Sequence, residues 1–470
     1  MTRSQQQARA VLDPATGSVV EHLPDTTAAG VDETLKRARA AYEDTWSRTT
    51  PTQRHDRLRA LADLVRAERV SFAELEQSNT GKPTARAFGE VDFAVRVLDW
   101  FAAASLYPQG QTHPAGPGMR VYSDRVPVGV VAAICPNNYP LLLATWKLAA
   151  ALAYGNTVVV KPAPETPLSI HRLVERAETV LPPDVLSAVY GGTEVAQALC
   201  DHPGTDMVSF TGSTRAGREV AHRCAEAIKP VSLELGGKSP VVVFADADLE
   251  GAARAVVNAF TGNTGQMCVA GTRLVVEEPI HEQFVTRVAE LAGALRPGRP
   301  RDAETDLGPL ITQAALERTA EIVEEAEASG ARIVLPASAT GVRHELDGGF
   351  FVNPVIVDHV PTSARAWREE IFAPVLSVAT FTSEAQALNL AHDTAYGLSA
   401  SVWSTDTERV ERFVRAFRAG LVWANTWGDT EESVSVSGLG QSGYGRELGL
   451  HAVEGYTRAR AVWVAHRPGG

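Results

Sequence analysis

Cysteine is scarce in this chain. Its four cysteines, Cys135, Cys200, Cys224 and Cys268, show neither CxxC nor metal-ligand spacing, so no disulfide framework is implied. The twelve histidines offer no HxxxH or comparable spacing, and no metal site is expected. Long apolar runs are missing as well. The longest, around 126–135 and 141–153, are interrupted by Pro127 and Lys147, which excludes a membrane span. No apolar stretch follows the opening MTRSQQQARA, so a signal peptide is not expected. A basic excess is absent too: the formal net charge of −12 argues against nucleic acid or an anionic membrane as the main partner. No convincing internal repeat and no low-complexity tract stand out. These absences leave a reduced, soluble, cytoplasmic protein as the expectation.

What is present is a long globular chain. Its 470 residues exceed the size at which one core stops growing, about 250–300 residues, so two or more domains are expected. Apolar periodicity predicts helices over 31–45, 52–80 and 88–104, then a Pro- and Gly-rich loop over 108–118. A buried strand over 126–136, a helix over 141–153 and a strand over 156–161 follow. Strand and helix patterns keep alternating through 185–190, 193–200, 207–211, 217–227 and 230–234. A second alternating block runs through 241–244, 249–261, 272–276, 280–295, 315–329, 332–335, 375–381 and 384–391. Such alternation implies parallel sheets covered by helices, hence an α/β fold in two blocks. Residues 296–301 and 338–349 read as surface loops.

The chemistry points to the junction of the blocks. Cys268 lies in the small-residue stretch Thr261-Gly-Asn-Thr-Gly-Gln-Met-Cys-Val-Ala-Gly271, where substrate and backbone donors can approach a thiol closely. Glu234, thirty-four residues earlier, is flanked by leucines in Leu233-Glu-Leu-Gly-Gly-Lys-Ser-Pro240, and desolvation would raise its pKa. A nucleophile and a tuned base are the minimum for covalent catalysis. Two nucleotide signatures are set aside. Gly438-Leu-Gly-Gln-Ser-Gly443 spells GxGxxG after the alternating 433–437, but no acidic residue follows the next strand-like stretch, and it reads as a loop. Gly237-Lys-Ser239 resembles the end of a P-loop, but position 232 is Ser rather than Gly.

Several further blocks occur in a familiar order. They are Pro136-Asn-Asn-Tyr-Pro140, Trp146-Lys147, Gly155-Asn-Thr-Val-Val-Val-Lys-Pro162 and Phe210-Thr-Gly-Ser-Thr-Arg-Ala-Gly217. After the Glu234 and Cys268 blocks come Glu369-Glu-Ile-Phe-Ala-Pro-Val375, Tyr396-Gly-Leu398 and Ser442-Gly-Tyr-Gly-Arg-Glu447. Together they resemble the aldehyde dehydrogenase superfamily, in its hydrolytic, non-acylating, NAD(P)-dependent branch. The resemblance implies a Rossmann-like cofactor domain over 1–107 and 128–236 and an α/β catalytic domain over 237–436. It also implies a β oligomerisation element from 108–127 and 437–470, and a homodimer or homotetramer. Cys268 would attack an aldehyde, and Asn138 and the Cys268 N–H would stabilise the oxyanion. Glu234 would activate the hydrolytic water, and Lys147 belongs to the same catalytic set. The implied cofactor contacts are Lys161, Pro164, Gly212, Ser213, Gly217, Leu235, Glu370 and Phe372, with the helix N-terminus after Ser213 facing the pyrophosphate. The implied tunnel lining is Phe93, Tyr139, Trp146, Met267, Val269, Thr430 and Val436.

The chain departs from the family pattern at several points. Asn137 replaces a frequent Trp beside the oxyanion Asn. Pro164 stands where many NAD-preferring members carry Glu, so NAD is expected with NADP left open, Glu165 partly compensating. Ser435, Val436 and Gly440 replace the usual Pro, Phe and Lys. Small residues at Gly262, Thr430 and Val436 imply room for a bulky aldehyde. Asp429, Glu431 and Glu432 near the mouth would favour a cationic amino- or betaine-type aldehyde, with Tyr139, Trp146 and Trp427 offering cation–π contact. A solvated acidic loop is the plainer reading of those carboxylates. The rival readings are a CoA-acylating dehydrogenase and a catalytically silent relative.

Overall fold

A computed structural model describes residues 8–107, 110–335, 346 and 348–466. Most of the loop expected over 338–349, the opening 1–7 and positions 108–109 lie outside these residues. Two large sheets organise the rest.

The first sheet has six strands in the order Gly443–Tyr444, Val231–Glu234, Met207–Thr211, Val130–Ile134, Thr157–Lys161 and Leu186–Ala188. All neighbours are parallel except Gly443–Tyr444, which runs antiparallel to Val231–Glu234. The central strands are buried on both faces, which is why they read as unbroken Val- and Ala-rich runs. The register aligns Ile134 with Lys161 and with Phe210, and Thr211 with Glu234. The carboxyl ends of the parallel strands therefore form one rim.

The second sheet runs Arg332–Leu335, Val355–Asp358, Val375–Phe381, Arg273–Glu277, Pro240–Val243, Ser399–Trp403 and Leu421–Ala424. It is parallel apart from the antiparallel edge strand Arg332–Leu335. Its amino ends, at Pro240, Arg273 and Val375, follow directly from the 235–239, 262–272 and 369–374 segments. The polypeptide crosses from the rim of one sheet to the start of the other at Glu234–Pro240. A separate three-stranded antiparallel sheet joins Gln111–His113, Met119–Pro127 and Thr457–Ala465.

Helix and strand types agree with the sequence reading over both blocks, and the differences are local. The 52–80 helix divides into Pro51–Ala67 and Arg69–Thr80 at Glu68, whose carboxylate accepts from Arg172 and Arg176. The 126–136 strand divides at Gly129, where φ is +126° and a Cβ would collide with the Asp206 carboxylate. Asn156 and Asp206 hold that turn, accepting from the Gly129 and Val130 N–H groups at 3.0 and 2.7 Å. Met119–Pro127 thus joins the three-stranded sheet while Val130–Ile134 enters the six-stranded one. The alternating 433–437 forms no strand; only Val436 bridges, to Glu447. The GxGxxG segment contributes two two-residue strands, Leu439–Gly440 and Gly443–Tyr444, rather than a plain loop. The strands Val355–Asp358, Ser399–Trp403 and Leu421–Ala424 were not anticipated.

Candidate active site

The helix Leu249–Thr261 runs out into a short turn, Gly262–Gly265, where Asn263 and Thr264 adopt left-handed backbone angles of +50° and +55°. Non-glycine residues hold such angles at a cost of order 1–3 kcal/mol each, so the surroundings must enforce them. They do so with hydrogen bonds. Asn263 Nδ2 donates to the carbonyls of Gln266 (3.2 Å) and Asn138 (3.3 Å). Thr264 Oγ1 donates to Gly308 O at 3.0 Å, and the Ile311 N–H donates to Gln266 Oε1 at 3.0 Å. Cys268 follows this braced turn and is half-buried.

Asn138 is buried, and its Nδ2 donates to Gln266 O at 2.9 Å. A side-chain amide has two donor hydrogens, so one remains for a second acceptor. The Gly236–Gly237 pair approaches from the other side. A Cβ at Gly236 would collide with the Glu370 carboxylate, and one at Gly237 with Cys268 O. The Gly237 N–H donates to Glu370 Oε1 at 3.3 Å. Burial, with the carboxyls of Glu370 and Glu234 adding to it, pushes the Cys268 thiol up to about 12. Glu370 is itself raised to about 7, chiefly by burial.

Glu234 ends its strand with Oε1 buried and without a hydrogen-bond partner. Burial and then the Glu447 charge lift it well above the ordinary carboxyl range, while Lys147 opposes them. Lys147 lies in the apolar helix Pro140–Ala153, forms a fully buried ion pair with Glu447, and donates to Thr211 Oγ1 (2.8 Å) and Ser209 Oγ (3.3 Å). Glu447 was given no role from sequence. The available signal was Lys147 itself, since a lysine inside a buried helix requires a carboxylate partner. The chain delivers Glu447 through Ser442, whose Oγ donates to Gly236 O at 2.7 Å and accepts from the Gly397 N–H at 3.0 Å.

A second buried cluster sits at the other end of the same helix. Lys82 pairs with Glu90 and lies 3.5 Å from Glu76, all three side chains being buried. Glu76 Oε1 accepts from the Leu141 N–H at 3.1 Å and Glu90 Oε1 from the Leu142 N–H at 3.2 Å, which caps the helix that follows Asn138. Lys82 Nζ lies 4.2 Å above the Tyr139 ring. Burial and the neighbouring Glu76 push Glu90 up to about 8, against the pull of Lys82. Sequence patterning did not single out this cluster.

The expected cofactor contacts from Lys161 to Leu235 lie along the rim of the six-stranded sheet, and Glu370 and Phe372 come from the segment that leads into Val375–Phe381 of the other sheet. Lys161 ends its strand, is buried, and donates to Pro162 O at 3.2 Å; burial lowers its pKa. Ser213 caps the helix Thr214–Glu226, its Oγ accepting from the Ala216 N–H at 3.3 Å. A Cβ at Gly212 would stand 2.7 Å from the Phe210 ring, and one at Gly217 would collide with Leu235. Phe372 takes a left-handed φ of +63° two residues beyond Glu370. A small cleft bordered by Pro162, Ala163, Pro164 and Gly191 is also lined by Arg9 and Asp25, which pair with each other, Arg9 lying in the strand Ala8–Leu12 that runs antiparallel to Val19–Pro24.

The tunnel candidates are less uniform. Phe93 and Trp146 stack edge-to-face with centroids 6.3 Å apart. Tyr139 borders the Lys82 cluster, the Met267 sulfur lies 3.1 Å from where a Cβ on Gly262 would stand, and Val269 O accepts from Ser399 Oγ at 3.1 Å. Val436 is buried and bridges to Glu447. Thr430 turns away to Gly428 O at 3.4 Å. The acidic trio is also modified: Arg96, 4.6 Å above the Phe93 ring, pairs with Glu432 at 3.5 Å. That guanidinium was not weighed in the sequence reading, and among the described residues it leaves Asp429 and Glu431 as the acids of the trio with no arginine ion pair.

The sequence and shape match known proteins. The aldehyde dehydrogenase family model matches residues 1–462. The NADP/NAD-dependent aldehyde dehydrogenase PuuC of Escherichia coli is 39% identical over 460 residues, 97% of this chain and 92% of that protein. A betaine aldehyde dehydrogenase of Staphylococcus aureus, solved with NAD+, superposes with a TM-score of 0.96 at 31% identity, covering 100% of this chain and 94% of the other. An NAD-dependent aldehyde dehydrogenase of Sinorhizobium meliloti gives 0.96 at 35% identity, covering 100% and 94%. A family model that spans nearly the whole chain, and relatives more than 30% identical over more than nine-tenths of it, show that the chain belongs to the aldehyde dehydrogenase family.

Proposed function

We propose that the protein oxidises an aldehyde to a carboxylic acid with NAD or NADP, through a covalent intermediate on Cys268. What supports this reading is that the Asn138 amide is tied to Gln266, two residues before Cys268, and that the raised Glu234 carboxyl lies near enough for its charge to act on the Cys268 thiol. Cys268 sulfur bonds to the aldehyde carbon while the carbonyl π pair moves to oxygen, where the second Asn138 hydrogen and the Cys268 N–H receive it. Burial favours the neutral thiol, so its proton passes to solvent water as the C–S bond forms, and the oxyanion pair re-forms the C=O of the thioester as the hydride departs. When bound, the nicotinamide supplies the acceptor for the hydride that leaves the thiohemiacetal carbon. Water then attacks the resulting thioester, Glu234 takes its proton, and the C–S bond breaks to release the acid. Lys161, Ser213 and the N-terminus of the helix Thr214–Glu226 would hold the adenosine and pyrophosphate, and Glu370 the nicotinamide ribose. The glycine approaches at 212, 217 and 236 suit such a cradle, since a side chain there would collide with its neighbours. Pro164 places no carboxylate against a 2′-phosphate, and Arg9 borders the same cleft, which supports use of both cofactors.

The substrate class we favour is a cationic amino- or ammonio-aldehyde, or a bulky neutral one. Asp429, Glu431 and the aromatic face of Trp146 support it, while Arg96 limits it by holding Glu432 and the Lys82 ammonium already occupies the Tyr139 ring. We further assign 1–107 and 128–236 to cofactor binding, 237–436 to catalysis, and 108–127 with 437–470 to assembly as a homodimer or homotetramer. The open edge of the three-stranded sheet and the exposed Trp463 support the last assignment. The test is reduced-cofactor formation with NAD and with NADP over cationic, neutral and anionic aldehydes, with Cys268→Ala as control. Turnover abolished in the variant supports the covalent route. A requirement for CoA would favour the acylating reading, and a folded protein inactive on every aldehyde would favour a silent relative.

A further inference from the structure

At the far edge of the seven-stranded sheet, four side chains converge that the reaction does not use. His281 opens the helix His281–Gly293 and Glu282 follows it; Asp358 ends the strand Val355–Asp358 and His359 follows that. One nitrogen of each imidazole and one oxygen of each carboxylate all lie within 4.8 Å of one another. His281 Nε2 stands 2.9 Å from Asp358 Oδ1, His281 Nδ1 3.6 Å from Glu282 Oε1, and His359 Nε2 3.7 Å from Asp358 Oδ2. Four ligands at about 2.0–2.1 Å around a tetrahedral zinc ion are spaced about 3.4 Å apart. The three contacts use both nitrogens of His281 and both oxygens of Asp358. The set of one atom from each residue spans at most 4.8 Å, so closure about an ion draws its widest pair together by up to about 1.4 Å.

Two features set this group apart from an ordinary surface ion cluster. Asp358 is fully buried and His281 nearly so, which gives the site a fixed floor, while Glu282 and His359 are exposed above it. The backbone at His359 is left-handed, with φ +52°, and this turn brings the imidazole back beside its neighbour's carboxylate. The two rings lie 5.0 Å apart, tilted by 56°. Arg332, from the antiparallel edge strand, is the resident cation. Its Nη2 donates to Asp358 Oδ2 at 2.6 Å and to both oxygens of Glu282, at 3.0 and 3.1 Å. An ion would take Glu282 from Arg332 while the guanidinium kept Asp358 Oδ2, leaving Arg332 as the outer support of a ligating carboxylate.

We propose that His281, Glu282, Asp358 and His359 form a binding site for a divalent borderline metal of the zinc class, which ties the edge strands to the helix His281–Gly293. Imidazole and carboxylate in equal number suit Zn2+ better than Mg2+ or Ca2+, which favour oxygen alone. Sequence spacing concealed the site because its ligands come as two adjacent pairs from segments joined only by the fold. The experiment is calorimetric titration of Zn2+ into metal-stripped full-length protein carrying Cys268→Ala, so that the active-site thiol does not contribute. One ion per chain is expected, and His359→Ala and Glu282→Gln, both exposed changes, each weaken it at least about tenfold. Arg332→Gln removes the outer support of Asp358 and weakens it as well. Zn2+ raises Tm in the parent and not in His359→Ala. Absence of saturable binding, or binding that both ligand variants leave unchanged, overturns the proposal.

Discussion

Two buried lysines flank the reacting centre, and both meet the helix Pro140–Ala153. Lys82 sits at its start with Glu76 and Glu90; Lys147 lies within it and faces Glu447. The first cluster spends its carboxylates on backbone N–H groups of the helix and its ammonium on the Tyr139 ring, so it sets where Asn138 stands. The second spends its ammonium on Glu447, Thr211 and Ser209, and its charges act on Glu234. Similar residues therefore serve different ends, one geometric and one protonic. What separates them is the neighbour: helix termini in one case, a titrating carboxyl in the other.

Four experiments sharpen or break that contrast. The largest effect is expected from Glu234→Gln, which removes the base and slows turnover by about 10²–10⁴-fold. A rapid first-turnover burst of reduced cofactor should survive, because only thioester hydrolysis needs this group; its disappearance would place Glu234 in the first step as well. Next, Lys82→Met leaves two buried carboxyls without their cation, and a loss of about 3–5 kcal/mol in unfolding free energy is expected from denaturant melts. Lys82→Arg should recover part of it. An unchanged midpoint in Lys82→Met would deny the cluster its geometric role.

The protonic cluster is tested by the pH–rate profile of the hydrolytic step. Glu234 acts deprotonated, so the rate rises with pH through its raised pKa. Burial is the main cause of that rise and the Glu447 charge the next, so Glu447→Gln should move the limb to lower pH. Lys147 opposes the rise, so Lys147→Met should move it to higher pH. Shifts of the same sign in both would contradict the assignment. The smallest effect concerns cofactor choice: Arg9→Ala should lower kcat/KM for NADP relative to NAD by about two- to fivefold, as expected of a partly exposed charge.

Much of the site was legible because catalysis constrains local sequence. Cys268 among small residues and Glu234 between leucines read as the nucleophile and desolvated base that we propose, the burial of Glu234 is present in the structure, and alternating patterns announce parallel sheets. Glu447 and Lys82 were not legible as partners of the site. Their partners are Lys147, three hundred residues from Glu447, and the carboxylates of neighbouring helices, and no period or motif records such pairs. The Arg96–Glu432 contact escaped for the same reason, and it altered the reading of the acidic mouth. The split at Gly129 escaped differently: an apolar run across Pro127–Ile134 looks continuous until Asp206 and Asn156 arrive to hold a turn that only glycine fits.

By itself, then, the chain's order of residues determined the α/β class and pointed to the thiol, base and oxyanion amide that we propose, because each depends on residue type and near neighbours. Tertiary structure alone decided which buried lysine faces which carboxylate, how far burial lifts Glu234 and Cys268, and that His281 and His359 meet at one sheet edge. Those outcomes depend on desolvation and on separations of a few ångströms between distant segments, quantities that come into being only when the two sheets close on one another.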